Sequence, residues 1–169
     1  MTRRDVPLDA AEILRALARH RVDYVLIGGL AVQAHGHVRT TQDVDLFPAP
    51  GPAGLERLAA ALTDLGARPA GGRDRPSGWS VREALRATDG PVALDTHAGG
   101  VDVHPHPPGA APFALVRDRS MTLEVLGVRV AIAGRDDLIA MKRAAGRPID
   151  RGDVIALTAP ERGSSSESG

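Results

Sequence analysis

Apolar residues near the start of the chain change from the spacing of a helix to that of a strand. Over Leu8–His20 they recur at helical spacing, and Asp9 is well suited to cap the helix N-terminus. Val22–Ile27 is short, mostly apolar and rich in β-branched residues, which predicts a buried strand. Gly28-Gly29 ends this strand, and Leu30–Ala34 has the composition of a short helix. The pattern therefore predicts a helix, a strand and a second helix.

A second strand is predicted at Val44–Phe47, where apolar and polar positions alternate up to Pro48. Side chains two residues apart on a strand project from the same face. Asp43 and Asp45 should therefore point the same way, beside the turn formed by the two glycines.

The rest of the chain predicts helices around two β-hairpins, with a mobile loop after the third helix. In order, the segments are a helix at Leu55–Leu65, a loop at Ala67–Ser80, hairpin strands at Val92–Thr96 and Val101–His104, hairpin strands at Met121–Leu126 and Val128–Ile132, and helices at Asp136–Ala145 and Ile149–Leu157. We predict an α+β fold of two layers, a mixed β-sheet with helices mainly on one face. Residues 1–157 should form one domain, and residues 158–169 a disordered tail.

Composition excludes several classes of protein. The apolar fraction is 43% and the charged fraction 25%, as in a soluble globular protein. The 21 acidic residues balance the 21 basic residues, so no global charge attracts nucleic acid or membrane. Without cysteine there is neither a disulfide nor a thiolate zinc site. No apolar run could span a bilayer and no signal peptide is evident, so we expect a cytoplasmic location.

The candidate chemistry begins with carboxylates. Asp43 and Asp45 could chelate Mg²⁺, although an Asp-x-Asp pair alone is more often an acidic strand end in solvent. Gly28-Gly29 could present backbone N–H groups to a phosphate, although a lone Gly-Gly is more often an ordinary turn. Asp102, between two valines on a hairpin strand, could be a third carboxylate, and Asp95 is its rival. Together these residues would make a metal-dependent site for phosphoryl transfer.

Other polar residues have two readings. Arg39, Thr40 and Thr41 could contact phosphate, and capping of the loop explains them equally well. The histidines of the two candidate motifs lack the tight spacing of zinc ligands, so loop or surface positions are expected for them. These histidines are His35, His37, His104 and His106.

Four segments together resemble the DNA polymerase β-type nucleotidyltransferase superfamily, in a minimal form similar to bacterial abortive-infection-toxin and antibiotic nucleotidyltransferases. They are IGGLAVQAHG at Ile27–Gly36, RTTQDVDLF at Arg39–Phe47, VDVHPHPPG at Val101–Gly109 and DLIAMKRAAGRP at Asp137–Pro148. The resemblance implies a nucleotidyltransferase-like fold in which two Mg²⁺ ions are held by catalytic Asp43, Asp45 and Asp102. It also implies that Gly28 and Gly29 lie at the triphosphate and that Lys142, the only lysine, lies near the phosphates.

The predicted function is transfer of a nucleoside monophosphate from a nucleoside triphosphate, such as ATP, to an acceptor hydroxyl, with release of pyrophosphate. The first expectation for the acceptor is an RNA 3′ end, in a toxin–antitoxin setting. Arg73, Arg75, Arg82 and Arg86 would then supply the basic surface, although a solvated loop explains such a cluster more often. One alternative acceptor is a small hydroxyl compound such as an antibiotic. Another alternative is a non-catalytic nucleotide-binding module, or one that needs a protein partner to supply the acceptor-binding part.

Overall fold

A seven-stranded mixed sheet organises the described part of the chain, residues 6–72 and 74–160 of a computed structural model. The strand order is β3-β4-β5-β2-β1-β7-β6, and β2 pairs antiparallel with β1 and parallel with β5. The strands are β1 (Tyr24–Ile27), β2 (Asp43–Pro48), β3 (Arg68–Pro69), β4 (Val92–Thr96), β5 (Gly99–Val103), β6 (Met121–Val125) and β7 (Val128–Ile132). The predicted α+β class with a mixed sheet is confirmed.

Helices connect and cover these strands. Within the described residues they are α1 (Ala10–Arg19), α2 (Gly28–Ala34), α3 (Pro52–Asp64), α4 (Val81–Arg86), α5 (Phe113–Asp118), α6 (Arg135–Ala145) and α7 (Pro148–Thr158). The predicted start of α1 is confirmed, because the Glu12 N–H donates to Asp9 Oδ1 at 3.0 Å. None of the described helices is long and apolar enough to cross a membrane.

The core lies where α1 and α3 contact each other and both contact β2. The apolar stripe of α1, Ile13, Leu14 and Leu17, is fully buried, as are Leu46 of β2 and Leu62 of α3. Burial of each such side chain contributes about 1.5–3 kcal/mol relative to exposure. This packing fixes β2, the strand that carries the acidic pair.

On β2, Phe47 has the same strand parity as Asp45, and its ring packs edge-to-face on Phe113 of α5, with 5.2 Å between ring centroids. Helix α5 thus covers one end of the face that presents the acids. The other end of that face stays open toward α6 and α7.

Three sequence predictions need correction. The loop predicted at Ala67–Ser80 contains β3, whose Arg68 and Pro69 pair antiparallel with β4. The pattern missed α4 and α5 because each has only six residues, too few to establish a helical period. The disordered tail was predicted to start at residue 158, but Thr158 is the last residue of α7. Residues 161–169 of the predicted tail lie outside the described part.

Candidate active site

A cavity of about 400 Å³ lies between the central strands and the helix pair α6–α7. Its lining divides into two groups of charged residues, which we call the acidic wall and the ion-pair wall. The acidic wall consists of Asp43, Asp45, Asp102 and His104. The ion-pair wall consists of Arg39, Lys142, Arg147 and Asp150, with Asp153 behind them.

Strand register assembles the acidic wall. On β2, Asp45 lies between Ile27 of β1 and Asp102 of β5, so two carboxylates separated by 57 positions become neighbours. The His104 N–H donates to Leu46 O at 2.8 Å, which continues the pairing beyond β5. The third predicted carboxylate, Asp102, therefore lies beside Asp45.

His104 completes a possible metal-binding group. Its Nε2 lies 3.0 Å from Asp45 Oδ1, and one ligand atom each from Asp45, Asp102 and His104 lie within 4.8 Å of one another. Two carboxylates and an imidazole fit a divalent cation, because carboxylate oxygen suits Mg²⁺ and Mn²⁺, and imidazole nitrogen suits later transition metals. Asp43 lines the same cavity, but the described group does not include it.

The two glycines allow close packing of side chains from both walls. Gly28 has φ +70°, and a methyl group there would overlap the carboxylate of Asp45. A methyl group on Gly29 would overlap the guanidinium of Arg39. Contacts with side chains of the same protein are therefore enough to explain why both positions are glycine. Their contact with a triphosphate stays a prediction.

The loop before β2 is ordered by its own polar groups. The Gln33 side-chain amide donates to the carbonyl of Arg39, and Thr41 Oγ1 donates to the carbonyl of Asp43 at 3.0 Å. The Arg39 guanidinium forms an ion pair with Asp153 across 3.1 Å. Both Arg39 and Thr41 line the cavity, so ordering of the loop and contact with a ligand are compatible roles.

The ion-pair wall is built on two buried carboxylates of α7. Asp150 Oδ1 accepts from Lys142 Nζ at 3.0 Å, and Asp150 Oδ2 accepts from Arg147 Nε at 2.7 Å and from the Arg147 backbone N–H at 3.1 Å. Lys142 Nζ also lies 2.9 Å from Asp153 Oδ2. Burial alone would raise the pKa of Asp150, but the hydrogen bonds and charges of Arg147 and Lys142 outweigh it and lower that pKa to about 2.

Lys142, on α6, is a buried charged residue. Only 6% of the residue is exposed, because its ammonium lies between Asp150 and Asp153. A buried ammonium needs such partners, since an isolated charge inside a protein is costly. Lys142 still lines the cavity, and its contact with phosphate stays a prediction.

The remaining candidates lie elsewhere. Asp95 is buried on β4, accepts a hydrogen bond from the Gly71 N–H at 3.0 Å, and does not line the cavity. His35 Nε2 lies 2.9 Å from the carbonyl of Ala133 and ties α2 to the end of β7. Of the four histidines considered in the sequence, His104 is the one that joins the described metal-binding group.

Sequence reasoning missed His104 and the carboxylates of α7. The signal for His104 was its position two residues after Asp102, the same parity that links Asp43 to Asp45. The signal for the ion-pair wall was the spacing of Arg147, Asp150 and Asp153, which recur every three residues and share one helix face.

Comparison with known proteins identifies the fold. No protein-family model and no curated protein matches the chain. The solution structure of the antibiotic-resistance factor ANT(2'')-Ia matches with a TM-score of 0.53 and 18% identity, over 86% of this chain and 78% of that chain. The crystal structure of ANT(2'')-Ia in complex with adenylyl-2''-tobramycin matches with a TM-score of 0.54 and 18% identity, over 86% and 83%. The chain therefore has the same fold as ANT(2'')-Ia, in agreement with the nucleotidyltransferase-like fold that its motifs predicted.

Proposed function

We propose that this protein transfers a nucleoside monophosphate from a nucleoside triphosphate to the hydroxyl of a small acceptor. The observation that carries the proposal is the meeting of Asp45, Asp102 and His104 in one cavity of a nucleotidyltransferase fold. A purely structural cavity gains nothing from neighbouring carboxylates, because like charges at close range oppose each other's ionisation.

In the proposed reaction, the acceptor oxygen forms a bond to the α-phosphorus, and the bond from that phosphorus to the bridging oxygen breaks. Pyrophosphate leaves with the bonding electrons. The hydroxyl proton passes to a base. Asp102 and His104 both line the cavity and are the two candidates for this base. The N–H groups of Gly28 and Gly29 are the proposed phosphate-binding groups, and Lys142, held by Asp150 and Asp153, lies at the same cavity.

The metal sites are part of the proposal. Asp43, Asp45 and Asp102, with His104, would hold divalent cations, two Mg²⁺ ions in the expected arrangement. Cations bound there would neutralise phosphate charge and lower the pKa of the acceptor hydroxyl. Because one donor is an imidazole, assays should include Mn²⁺ beside Mg²⁺.

A small acceptor is favoured because, of the arginines expected to bind RNA, the three that the structure describes are engaged elsewhere. Arg82 and Arg86 form ion pairs with Glu56 at 2.7 and 2.9 Å, and Arg75 stacks on Trp79. None of these three lines the cavity, and Arg73 lies outside the described residues. The complex of ANT(2'')-Ia with adenylyl-2''-tobramycin supports the same class of acceptor for this chain.

The test is transfer of label from α-labelled nucleoside triphosphates to a panel of aminoglycosides and other small polyhydroxyl compounds, with total RNA in parallel. We expect a labelled small product, and its loss in Asp45→Asn and Asp102→Asn. Asp118→Asn, an exposed carboxylate away from the cavity, is the matched control. Labelled RNA in place of a small product would establish the RNA-end acceptor instead.

A partner-dependent nucleotide-binding module is the second reading to separate. Calorimetry with ATP, CTP, GTP and UTP in the presence of Mg²⁺ or Mn²⁺ measures binding without requiring an acceptor. Metal-dependent binding without transfer to any acceptor would indicate the module and contradict the proposed activity.

A further inference from the structure

The ion-pair wall carries one more positive charge than its carboxylates balance. Arg39, Lys142 and Arg147 supply three cations, and Asp150 and Asp153 supply two anions. Both carboxylates are buried, with 0% of Asp150 and 6% of Asp153 exposed. The unbalanced positive charge is therefore assigned to the cation whose side chain is most exposed.

Lys142 and Arg39 are enclosed. Lys142 lies against both carboxylates, and the Arg39 side chain, 15% exposed, lies between Asp153 and Gly29. Their charges are largely used inside the protein, where they offset the carboxylates of α7.

Arg147 differs from both. Its side chain is 66% exposed and lines the cavity, while Nε and Nη2 donate to Asp150 at 2.7 and 3.2 Å. A guanidinium has five N–H donors, so these two hydrogen bonds orient the group and leave other donors for a second anion. The pKa of Arg147 is raised first by the hydrogen bonds to Asp150 and further by the charges of Asp45 and Asp102. Arg147 is therefore within electrostatic reach of the acidic wall.

We propose that Arg147 binds the polyphosphate group of the nucleotide and that Asp150 is its positioning residue. This inference rests on the proposed function and adds a binding residue to it. A planar guanidinium matches phosphate oxygens with two parallel hydrogen bonds, which an ammonium cannot do. Lys142 serves as the internal counter-ion that allows Asp150 to stay buried and ionised.

The direct test uses inorganic tripolyphosphate as the ligand and calorimetry as the measurement, with no acceptor present. Arg147→Ala should weaken binding at least tenfold, and Arg147→Lys should recover only part of the loss. The control is Arg143→Ala, an exposed arginine of α6 that does not line the cavity. Equal affinities for wild type and Arg147→Ala would overturn the proposal.

The positioning role of Asp150 needs a measurement that general destabilisation would not change. In a double-mutant cycle, Asp150→Asn should weaken tripolyphosphate binding in the wild-type background and have little further effect in the Arg147→Ala background. Circular dichroism at the same temperature establishes that each variant is folded. Additive losses would show that Asp150 does not act through Arg147. If Asp150→Asn does not fold, Asp150→Glu, which keeps the charge and displaces the carboxylate, takes its place with the same two outcomes.

The inference and the proposed function can fail separately. Tripolyphosphate binding that depends on Arg147 without transfer would leave the inference intact and remove the activity. Nucleotide transfer that is unchanged in Arg147→Ala would leave the proposed activity intact and remove the inference about Arg147.

Discussion

The two walls of the cavity hold their charges in opposite ways. On the ion-pair wall, Asp150 and Asp153 are buried among cations, and the pKa of Asp150 falls to about 2. On the acidic wall, Asp45 and Asp102 are neighbours of the same sign, partly exposed, with His104 beside Asp45. Alternating charges can satisfy each other inside a fold, whereas like charges on one wall repel each other, and a bound cation would reduce that repulsion.

The comparison assigns different costs to the two walls. Removing a charge from the acidic wall should affect chemistry more than stability. Removing a buried charge from the ion-pair wall should affect stability first, because it leaves a buried partner without compensation.

The largest expected effect is on activity. Asp102→Asn should lower the rate of nucleotide transfer by about 10³-fold or more, because a neutral amide is a poor metal ligand and a poor base. Its free energy of unfolding should stay within about 1 kcal/mol of wild type, since a like-charge repulsion is relieved. Steady-state kinetics and urea unfolding measure the two quantities. A large loss of stability with unchanged transfer would reverse the assignment of the walls.

Lys142→Met should destabilise the fold by about 3–5 kcal/mol, because Asp150 and Asp153 would lose their shared buried cation. Thermal unfolding monitored by circular dichroism measures the change. Adding Asp150→Asn and Asp153→Asn to Lys142→Met should restore part of the stability. No recovery would mean that packing of the lysine stem, rather than charge, accounts for the loss.

Gly28→Ala tests the contact between the turn and the acidic wall. The left-handed backbone costs about 1–2 kcal/mol for any side chain, and the added methyl group must also displace Asp45. Gly36→Ala is the matched control, because Gly36 also has positive φ (+90°) and a methyl group there would meet no atom within 4 Å. Both variants should lose stability, and only Gly28→Ala should lose transfer activity. Equal activities would contradict the proposed role of Asp45.

Acid should weaken the ion-pair wall by about 2 kcal/mol through Asp150. The folded-state pKa of Asp150, about 2, lies below the unfolded value near 4. The stabilisation is therefore complete above pH 4 and is lost as pH falls from 4 to 2. Urea unfolding at a series of pH values should show this slope in wild type and a shallower one in Asp150→Asn, with Asp118→Asn as control.

The smallest effect is expected far from both walls. Arg82→Ala should change stability by less than about 1 kcal/mol, because its ion pair with Glu56 is solvent-exposed. Transfer to a small acceptor should be unchanged. A clear loss of transfer to RNA, with a weaker salt dependence, would instead support the RNA-end acceptor.

Local pattern was enough to predict most of the helices and strands, because a helical or alternating period needs only neighbouring residues. The four motifs also single out Asp43, Asp45, Asp102, Gly28 and Gly29, which all line the cavity, while their roles in metal and phosphate binding stay predictions. The short α4, α5 and β3 were missed because segments of two to six residues are too short to establish a period.

Tertiary structure decided the partners of each charge. The pairing of β2 with β5 brings Asp102 and His104 to Asp45, and no local pattern reports that register. The packing of α6 on α7 turns Lys142 inward to Asp150 and Asp153 and leaves Arg147 at the cavity. Sequence alone therefore determined which acids could form a site. Only the fold decided which cations are used up inside the protein, because burial and ion pairing depend on distances between remote segments.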